Sequence, residues 1–485
     1  MEFAPEPAPD LALEGAISFA DHETYLSLAF DVPAGVTRVT IAFEYERAHR
    51  TTIDLGLFDT ERFRGWSGGD KNLITVAAED ATPSYLPGPI LAGTWKLILG
   101  VPNIRRGVRA DYTARIYFAK APQPPRVSTF SDHPLKTGLA WYRGDLHMHT
   151  AHSDGGCCSQ SGARAPSPLY RSVEAAAARG LDFIAITDHN TTSHFHAMRE
   201  LQPAFDQLLL IPGREITTFH GHANIFGPVG FIDFRLGAES LPTVDGLCDA
   251  SEAMGGLLAV NHPCLPSGEL CMGCGWTAPA TDYARVQAIE VANGGAQRAM
   301  DAEEGPFSGI PFWQARLNEG HRITGIGGSD NHDASLAPDV FSAIGKPTTL
   351  IHAPSLCEAA ILEAIRLGRV AIDLDGTPDR TLDLTASCAG AKAVMGGELT
   401  VGAGDEAAFE VTVHGVASGM IEVIRDGEIV GGPADASISP AAAKRMFVLQ
   451  TDGAAHWVRI NVRDGAGRLI LIGNPIYLTP SNAPD

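Results

Sequence analysis

The sequence lacks any run approaching 18 consecutive apolar residues, the length that a helix needs to cross a bilayer, so no membrane-spanning helix is predicted. Its first ten residues contain neither a basic segment nor an apolar segment of the kind found in secretion signals, which favours a cytoplasmic location. Positive charge is also scarce, with 36 Lys and Arg against 57 Asp and Glu and a formal net charge of −21. Because an acidic surface repels nucleic-acid phosphates and anionic lipid, neither class of partner is expected.

Cysteine is sparse, with 8 in 485 residues, which excludes a small disulfide-stabilised scaffold. Five of the eight fall in two segments, Cys157-Cys158 and Cys264 to Cys274. For the second segment three interpretations stay open: a zinc knot, a disulfide that ties the loop, or small buried thiols that line a pocket wall. A reducing cytoplasm favours the thiols. The remaining cysteines are expected in the core: Cys248, Cys357 and Cys388.

A chain of 485 residues is too long for one compact core, and its composition changes along its length in three zones. Residues 1–125 consist of short alternating strands and predict an N-terminal β-sandwich-like domain that ends in the linker Ala121–Pro125. Residues 140–378 alternate apolar strands with amphipathic helices, which is typical of an α/β fold. Residues 380–485 return to strands, with a predicted hairpin turn at Arg425–Gly427.

The sequence pattern of the middle zone predicts the bounds of its helices and strands. A helix is predicted from Ser167-Pro168 to Gly180, since Pro near the start and Gly just past the end are common helix boundaries. A second helix is predicted over Leu356–Leu367. The predicted strands are Leu181–Thr187, Leu208–Ile211, Leu257–Val260, Ala288–Ala292 and Ile323–Ile326.

Histidine is concentrated at the ends of these strands. Eleven of the 17 histidines fall between His147 and His332, and each cluster places an acid or amide beside an imidazole. The clusters are Asp145–His149, Thr187–Asn190, His220–Asn224, Asn261–Pro263 and Gly328–His332. Since the carboxyl ends of parallel strands meet at one edge of a sheet, we expect the clusters to converge. Imidazoles with a few carboxylates are the ligands of divalent transition metals, so the pattern predicts a metallohydrolase.

The spacing of the side chains identifies candidate ligands. Alternate residues of a strand point the same way, so His147 and His149 should face one side together. Glu215 follows a strand and could bridge two cations. His220 stays an alternative to His222, because the two lie two positions apart. The candidate metal ligands are His147, His149, Asp154, His189, Glu215, His222, His262, Asp330 and His332.

Over about residues 140 to 375 the chain resembles the PHP (polymerase and histidinol phosphatase) superfamily, and within it the carbaryl-hydrolase-like (CehA/McbA) branch. The superfamily resemblance is carried by Gly144–Gly155, Thr187–Asn190, Gly213–Glu215, Asn261–Pro263 and Gly328–His332, and the branch by Ile289–Gly294 and Phe312-Trp313. The resemblance implies a distorted (β/α)7 barrel that holds two or three Zn, Mn or Fe ions at the carboxyl ends of its strands.

The same resemblance distributes the ligands. One ion would take His147, His149, Glu215 and Asp330. A second would share Glu215 and take His262, with His222 as a further ligand. A third would take Asp154, His189 and His332. The chain departs from many trinuclear phosphatases of the superfamily, which have a histidine near position 154, and an acid there is expected to alter metal preference or occupancy.

Two dications would lower the pKa of a bridging water, so a metal-bridging hydroxide can attack without a serine or cysteine nucleophile. Asp330 is predicted to shuttle its proton, and His194 or His222 to protonate the leaving group. Arginines suit a phosphate and asparagine suits a polar substrate. The predicted substrate-binding residues are Arg164, Arg214, Arg298 and Asn293.

The leading interpretation is a metal-dependent phosphoesterase that acts on a small organic phosphomonoester or phosphodiester. A carboxylester or carbamate hydrolase is the alternative, and it would need an aromatic slot built from Phe219, Phe226, Trp276 and Trp313. A third interpretation is a non-catalytic binding protein on a degenerate barrel. The expected partner is a small-molecule substrate, and assembly into a homo-oligomer stays open.

Overall fold

The computed structural model describes residues 8–69, 71–120, 133–268, 271, 273–431, 433–441 and 443–481. The chain forms two compact units, Met1–Val127 with Phe195–Glu200, and Ser128–His194 with Leu201–Asp485. The predicted linker Ala121–Pro125, and with it the predicted domain boundary at residue 125, lies outside the described residues. Across the described ranges, no helix is long and apolar enough to cross a membrane.

Antiparallel strands form two four-stranded sheets in the first unit, in the orders β1-β8-β3-β6 and β2-β7-β4-β5. Their bounds are β1 (Leu11–Ser18), β2 (Tyr25–Val32), β3 (Val36–Tyr45), β4 (Thr52–Phe58), β5 (Phe63–Gly68), β6 (Leu73–Ala77), β7 (Gly93–Asn103) and β8 (Arg109–Lys120). Alternate apolar residues from both sheets, such as Ile41 of β3 and Leu97 of β7, share one core. Two antiparallel sheets that share one core confirm the predicted β-sandwich-like arrangement.

Strands alternate with helices in the middle zone, which confirms the predicted α/β pattern. The strands are β9 (Lys136–Asp145), β10 (Gly156–Cys158), β11 (Arg164–Pro166), β12 (Phe183–Ile186), β13 (Leu209–Thr218), β14 (Gly221–Phe226), β15 (Leu257–Val260), β16 (Ala288–Asn293), β17 (Thr324–Gly328), β18 (Thr348–Leu356) and β19 (Val370–Asp373). The helices are α1 (Leu169–Ala178), α2 (His194–Leu201), α3 (Val244–Ala253), α4 (Gly294–Met300), α5 (Ile310–Asn318) and α6 (Glu358–Arg366). Helix α1 ends before Gly180, whose φ of +67° closes it as predicted.

The middle strands form one sheet in the order β17-β16-β15-β14-β13-β12-β9-β18-β19. Strand β12 is parallel to β9 and β13, and β16 is parallel to β15 and β17. Strand β14 runs antiparallel to both its neighbours, a hairpin that the sequence pattern did not indicate. Two isolated bridges, Met148 with Asn331 and Gly156 with Asp333, link the chain after β9 to the chain after β17. The mixed sheet is therefore established, whereas a closed (β/α)7 barrel stays a prediction.

The last zone returns to strands, as expected, and its strands also extend the central sheet. They are β20 (Thr381–Cys388), β21 (Ala391–Val394), β22 (Glu398–Val401), β23 (Ala403–His414), β24 (Gly419–Arg425), β25 (Glu428–Val430), β26 (Ser437–Ile438), β27 (Lys444–Asp452), β28 (His456–Asp464), β29 (Leu469–Gly473) and β30 (Ile476–Pro480). A four-stranded antiparallel sheet, β21-β20-β23-β27, packs its apolar face on β28 and β30 through residues such as Leu384 and Ile460.

The central sheet continues from β19 into β29, β28 and β24 without a break, with Asp373 paired to Leu471. A division of this unit near residues 378–380 therefore stays a prediction. The predicted hairpin turn is confirmed: Asp426 and Gly427 join β24 to β25 with φ angles of +53° and +95°, both positive as a type I′ turn requires.

Candidate metal centre

The chain just after β9 supplies two imidazoles because side chains alternate along it. Leu146 and Met148 are fully buried in the core, so His147 and His149 face the opposite side together. Both imidazoles are also buried. Asp145 fixes this segment, since its Oδ1 accepts a hydrogen bond from the Ser329 amide (2.9 Å) and its Oδ2 from the Gly345 amide (2.7 Å). The bond from Ser329 holds the end of β9 beside the end of β17, and the bond from Gly345 ties it to the segment before β18.

Three buried side chains form what we call the inner group: His147 just after β9, Glu215 within β13 and His262 just after β15. Glu215 Oε1 lies 3.4 Å from His147 Nε2 and 3.2 Å from His262 Nε2. His222 adds a third imidazole, with its Nδ1 also 3.2 Å from Glu215 Oε1. His222 can reach this point because β14 is antiparallel, so its beginning lies at the edge where the parallel strands end.

A second cluster, the outer group, is more open to solvent and consists of His149, Asp154, His189 and His332. The Asp154 Oδ1 atom lies 3.3 Å from His332 Nε2, 3.6 Å from His189 Nε2 and 3.9 Å from His149 Nδ1. The Asp154 side chain is 58% exposed and that of His332 is 39% exposed, whereas the His149 ring is buried. This cluster therefore has one closed side and one side that a substrate could approach.

Two carboxylates connect the groups. Glu215 Oε2 lies 2.9 Å from His189 Nδ1 and 3.5 Å from His149 Nε2, while its Oε1 faces the inner group. Asp330 Oδ1 lies 3.3 Å from His147 Nε2 and 3.2 Å from His149 Nε2. These positions are those that a bridging carboxylate would occupy between neighbouring cations.

The hydrogen bonding and the donor atoms of these residues both fit a cluster of divalent ions. Among the described residues, the buried side-chain atoms that make no hydrogen bond include three from this cluster: His147 Nε2, His149 Nε2 and Glu215 Oε2. Each such unsatisfied group costs about 1–3 kcal/mol, and a bound cation would compensate three that converge on one place. Imidazole nitrogen with carboxylate oxygen suits Zn, Mn or Fe, and the two groups offer room for two or three ions. The donor set does not distinguish among these metals.

The electrostatics of the cluster are balanced by opposite charges. Burial alone would raise the pKa of Glu215, but the surrounding imidazoles, His147 first, hold it well below its usual range. The pKa of Asp330 is likewise well below its usual range, since the imidazoles around it, His147 and His149 first, outweigh burial. Burial opposes charge on His147, yet Asp330 and the neighbouring glutamates raise its pKa well above the usual value. The carboxylates therefore stay ionised and available to cations.

Glu290, which the sequence analysis did not single out, stands behind two of the ligands. Its Oε1 lies 3.0 Å from His147 Nδ1, and its Oε2 accepts hydrogen bonds from the His262 amide (3.0 Å) and from Asn293 Nδ2 (2.8 Å). Gly328 makes this approach possible, because a β-carbon there would lie 2.5 Å from Glu290 Oε1. A carboxylate in the middle of the apolar strand β16 was the sequence signal that could have identified it.

Other polar groups orient the remaining ligands. The Asn261 Nδ2 group donates to Glu215 Oε1 (2.9 Å), and the Cys274 carbonyl accepts from His262 Nδ1 (3.2 Å). His189 Nδ1 lies 2.6 Å from Thr217 Oγ1. Partners of this kind fix which ring nitrogen is left to face a metal.

Backbone strain also marks the site. Asp330 and His262 have φ angles of +50° and +25°, and Asn190, beside His189, has a φ of +51°. L-residues other than glycine seldom adopt positive φ, and such conformations cost of order 1–3 kcal/mol each. Strain at three positions around one cluster is typical of a functional site.

The predicted catalytic residues do not all lie in the cluster. Asp330 and His222 do, whereas the rival His220 lies in the exposed turn between β13 and β14. His194 is fully buried, with Nε2 2.9 Å from the Gly213 carbonyl oxygen, and burial lowers its pKa to about 4 despite nearby Asp188. A buried neutral imidazole in this position does not favour the predicted role of His194 as the acid for a leaving group.

The predicted substrate-binding residues are scattered. Arg164 donates through Nη2 to the His332 carbonyl oxygen (3.2 Å) and lines a cavity of about 220 Å³ together with Asp154. Asn293 lies behind the ligands, donating to Glu290 and, at 3.3 Å, to Asp330 Oδ2. Arg214 is buried and donates to the Pro228 carbonyl oxygen at 2.6 Å, on the strand face opposite Glu215. Arg298 is exposed on α4.

No aromatic slot of the predicted composition forms. Phe226 and Trp313 are fully buried in two different core clusters, and Trp276 packs in the same cluster as Trp313. Only Phe219 is accessible, 87% exposed in the turn before β14. A substrate therefore could not lie among these four rings together.

The cysteines differ in part from expectation. Cys271 and Cys274 form a disulfide, so the favoured interpretation of buried thiols is wrong for this pair. Cys264, in the same segment, is a free thiol. Cys157 and Cys158 are also free, the first buried and the second exposed. Among the residues expected in the core, Cys248 and Cys388 are buried and Cys357 is partly buried.

Comparison with known proteins adds little beyond this geometry. No protein-family model and no curated protein matches the chain. The chain is similar to a two-domain protein from Bacteroides vulgatus that contains a predicted PHP-like metal-dependent phosphoesterase, with 16% identity, a TM-score of 0.38, and coverage of 70% of this chain and 96% of that one. It is also similar to a proposed metal-dependent phosphoesterase from Bifidobacterium adolescentis, with 17% identity, a TM-score of 0.27, and coverage of 39% and 87%. At these values neither similarity bears on what the chain does.

Proposed function

We propose that the protein is a metal-dependent phosphoesterase that hydrolyses phosphate esters of a small organic molecule. The observation that supports it most is the convergence of the inner and outer groups on three buried atoms without hydrogen-bond partners among the described residues. Burying such atoms costs free energy that bound cations would return. A non-catalytic scaffold without metal would bury these atoms at a net cost in free energy. The burial therefore argues against the interpretation of a degenerate barrel.

Each group of side chains has a distinct task in this proposal. The inner group with His222 holds one or two ions, the outer group holds another, and Glu215 and Asp330 are shared between them. Divalent ions bound there would lower the pKa of coordinated water and polarise a phosphoryl oxygen. In this proposal Asp330 has the task of accepting the proton of the attacking water, and the approach of both His147 and His149 to its Oδ1 supports a position at the shared side of the cluster.

A phosphoester suits the open side of the site better than a neutral ester does. Arg164 is 61% exposed and stands beside Asp154 and His332 at the cavity on this side. A guanidinium in this position can pair with phosphate oxygens, which a neutral substrate does not present. Gly156 leaves room for it, because a β-carbon there would lie 2.5 Å from Arg164 Cζ.

A carboxylester or carbamate hydrolase remains the second candidate, because the same ions would serve it. The burial of Phe226 and Trp313 removes two of the four rings on which that function would depend. Exposed Phe219 is the one feature that favours it. A small-molecule substrate, a cytoplasmic location and the absence of nucleic-acid and membrane partners stay part of this proposal.

Two measurements test the proposed function. Elemental analysis of the purified protein should find at least two transition-metal ions per chain, and removing them with a chelator should abolish hydrolysis. Values of kcat/KM for 4-nitrophenyl phosphate, bis(4-nitrophenyl) phosphate and 4-nitrophenyl acetate should favour a phosphoester. Activity without metal would overturn the metal centre, whereas a carboxylester value far above both phosphoesters would overturn only the substrate class.

A further inference from the structure

We propose that the Cys271–Cys274 disulfide is a redox-modification site that sets how tightly the inner group holds its metal ion. The two cysteines lie three positions apart in the segment that follows β15. The inference rests on the metal centre proposed above, and it adds a chemical control that the ligands themselves do not contain.

One hydrogen bond connects the disulfide segment to the ligands. The Cys274 carbonyl oxygen accepts from His262 Nδ1 at 3.2 Å. A carbonyl can only accept, so this contact places the proton on Nδ1 and leaves the Nε2 lone pair facing Glu215, whose Oε1 is 3.2 Å away. The position of the Cys274 backbone therefore decides whether His262 presents the correct nitrogen to a metal.

The segment around Cys274 is confined on both sides. The Trp276 amide donates to the Pro263 carbonyl oxygen (3.0 Å), and the Gly275 amide donates to Ser267 Oγ (3.1 Å). At the other end Cys271 and Gly268 exchange backbone hydrogen bonds of 3.0 and 3.2 Å. The disulfide joins these two hydrogen-bonded ends, so breaking it removes one of the constraints on the Cys274 carbonyl and leaves the hydrogen bonds of Gly275 and Trp276 to hold it.

Accessibility suits exchange with a dithiol. Cys271 is partly exposed, whereas Cys274 is 1% exposed, so a thiolate would attack Cys271 Sγ. A dithiol donor passes two electrons and two protons to the pair: the bond between the two sulfurs breaks, two cysteine thiols form, and the donor becomes a disulfide. In a reducing compartment disulfides are rare, and those that occur commonly sense redox state.

The test compares metal binding by oxidised and reduced protein. Mn²⁺ is the probe, since it prefers carboxylate and imidazole to thiols, and a water-soluble trialkylphosphine is the reductant, which becomes a phosphine oxide. Reduction should weaken Mn²⁺ binding to the inner group by about 10- to 100-fold, the usual cost of losing an outer partner of a metal ligand. Repeating the titration in His332→Ala, which removes an outer-group ligand, isolates the inner group.

Two variants make the result specific. Cys271→Ser should bind Mn²⁺ like reduced wild type whether or not phosphine is present. Cys248→Ser, which removes a buried free thiol on α3, should respond to phosphine like wild type. Equal Mn²⁺ affinity in oxidised and reduced wild type would overturn the redox inference and leave the proposed function intact. Absence of Mn²⁺ binding by the oxidised protein would overturn the metal centre itself.

Discussion

The inner and outer groups use the same kinds of side chain but are built into the protein in different ways. Each inner ligand is buried and has a second polar partner: Glu290 for His147, Asn261 for Glu215 and the Cys274 carbonyl for His262. The outer group includes two ligands on loops, Asp154 and His332, that are more than a third exposed. The outer ligand His332 is held mainly by its neighbour, with Nδ1 3.0 Å from the Asp330 carbonyl oxygen.

The difference teaches that one cluster can contain two kinds of metal position. Buried ligands with fixed partners act in a low-dielectric environment and need no reorganisation, so the inner group should bind its cation tightly. The outer group is screened by solvent and lies beside Arg164, so its cation should exchange more easily and should meet the substrate. The following predictions test this contrast, from the largest effect to the smallest.

Glu215→Gln should remove activity more completely than loss of any single histidine, because Glu215 contacts both groups. Replacing one carboxylate oxygen by an amide weakens both metal positions at once, whereas each histidine belongs mainly to one. The loss should exceed the 10- to 100-fold that is typical of changes around the ligands. Steady-state rates within about tenfold of wild type would show that Glu215 does not connect the two positions.

Glu290→Gln should weaken the inner position and spare the outer one. The amide cannot accept from His147, the His262 amide and Asn293 all at once, so inner-group metal affinity should fall about 10- to 100-fold. Titration with Mn²⁺ and metal counting measure the effect. Asp373→Asn is the control, since Asp373 is another buried carboxylate but bonds to Thr377 and Arg380 instead. An equal loss in the control would mean that only stability had changed.

Arg164→Ala should affect substrate binding on the outer side without removing metal. Loss of one charge-assisted contact should raise KM for 4-nitrophenyl phosphate roughly tenfold, with a smaller effect on 4-nitrophenyl acetate. Arg171→Ala, at an exposed arginine that lines a different cavity, serves as the control. If both substrates are affected equally, Arg164 does not recognise phosphate.

The smallest expected effect concerns pH in the metal-free protein. Burial opposes protonation of His332, but Asp154 and Asp330 raise its pKa to about 9, above the ordinary value of 6.5. This raised pKa stabilises the folded state fully below about pH 6.5, and the contribution is lost as pH rises through about 9. The Tm of metal-free protein should therefore fall between these pH values, and it should fall less in His332→Gln. If the Tm of wild type and of His332→Gln fell equally with pH, the raised pKa of His332 would not be the cause of the pH dependence.

Much of the candidate site could be predicted because strand geometry is local. The structure brings together all nine predicted ligands. Seven belong to the two groups, Asp330 lies between His147 and His149, and His222 Nδ1 lies 3.2 Å from Glu215 Oε1. Alternation along a strand also explains a failure. Arg214 and Glu215 are adjacent on β13, so their side chains must point to opposite faces, and Arg214 lies in the protein interior.

Long-range partners could not be predicted in this way. Glu290 and His147 are separated by 143 positions, and no local pattern states that β16 will place its carboxylate behind an imidazole from β9. The disulfide between Cys271 and Cys274 could not be predicted either. The same spacing of cysteines fits a disulfide, free thiols or a metal knot, so the sequence left all three interpretations open. The antiparallel course of β14 was equally hidden, since apolar runs do not reveal strand direction.

The sequence by itself determined which side chains can bind metal, and that most of them stand near strand ends, where an α/β sheet brings them together. Only the tertiary structure decided which ligands are buried and which are open, because burial depends on neighbours far away in the chain. It separated the closed inner group from the outer group beside Arg164, and it placed Glu290 and the Cys274 carbonyl behind the imidazoles. Local periodicity orients a side chain, whereas packing sets the dielectric and the hydrogen bonds around it.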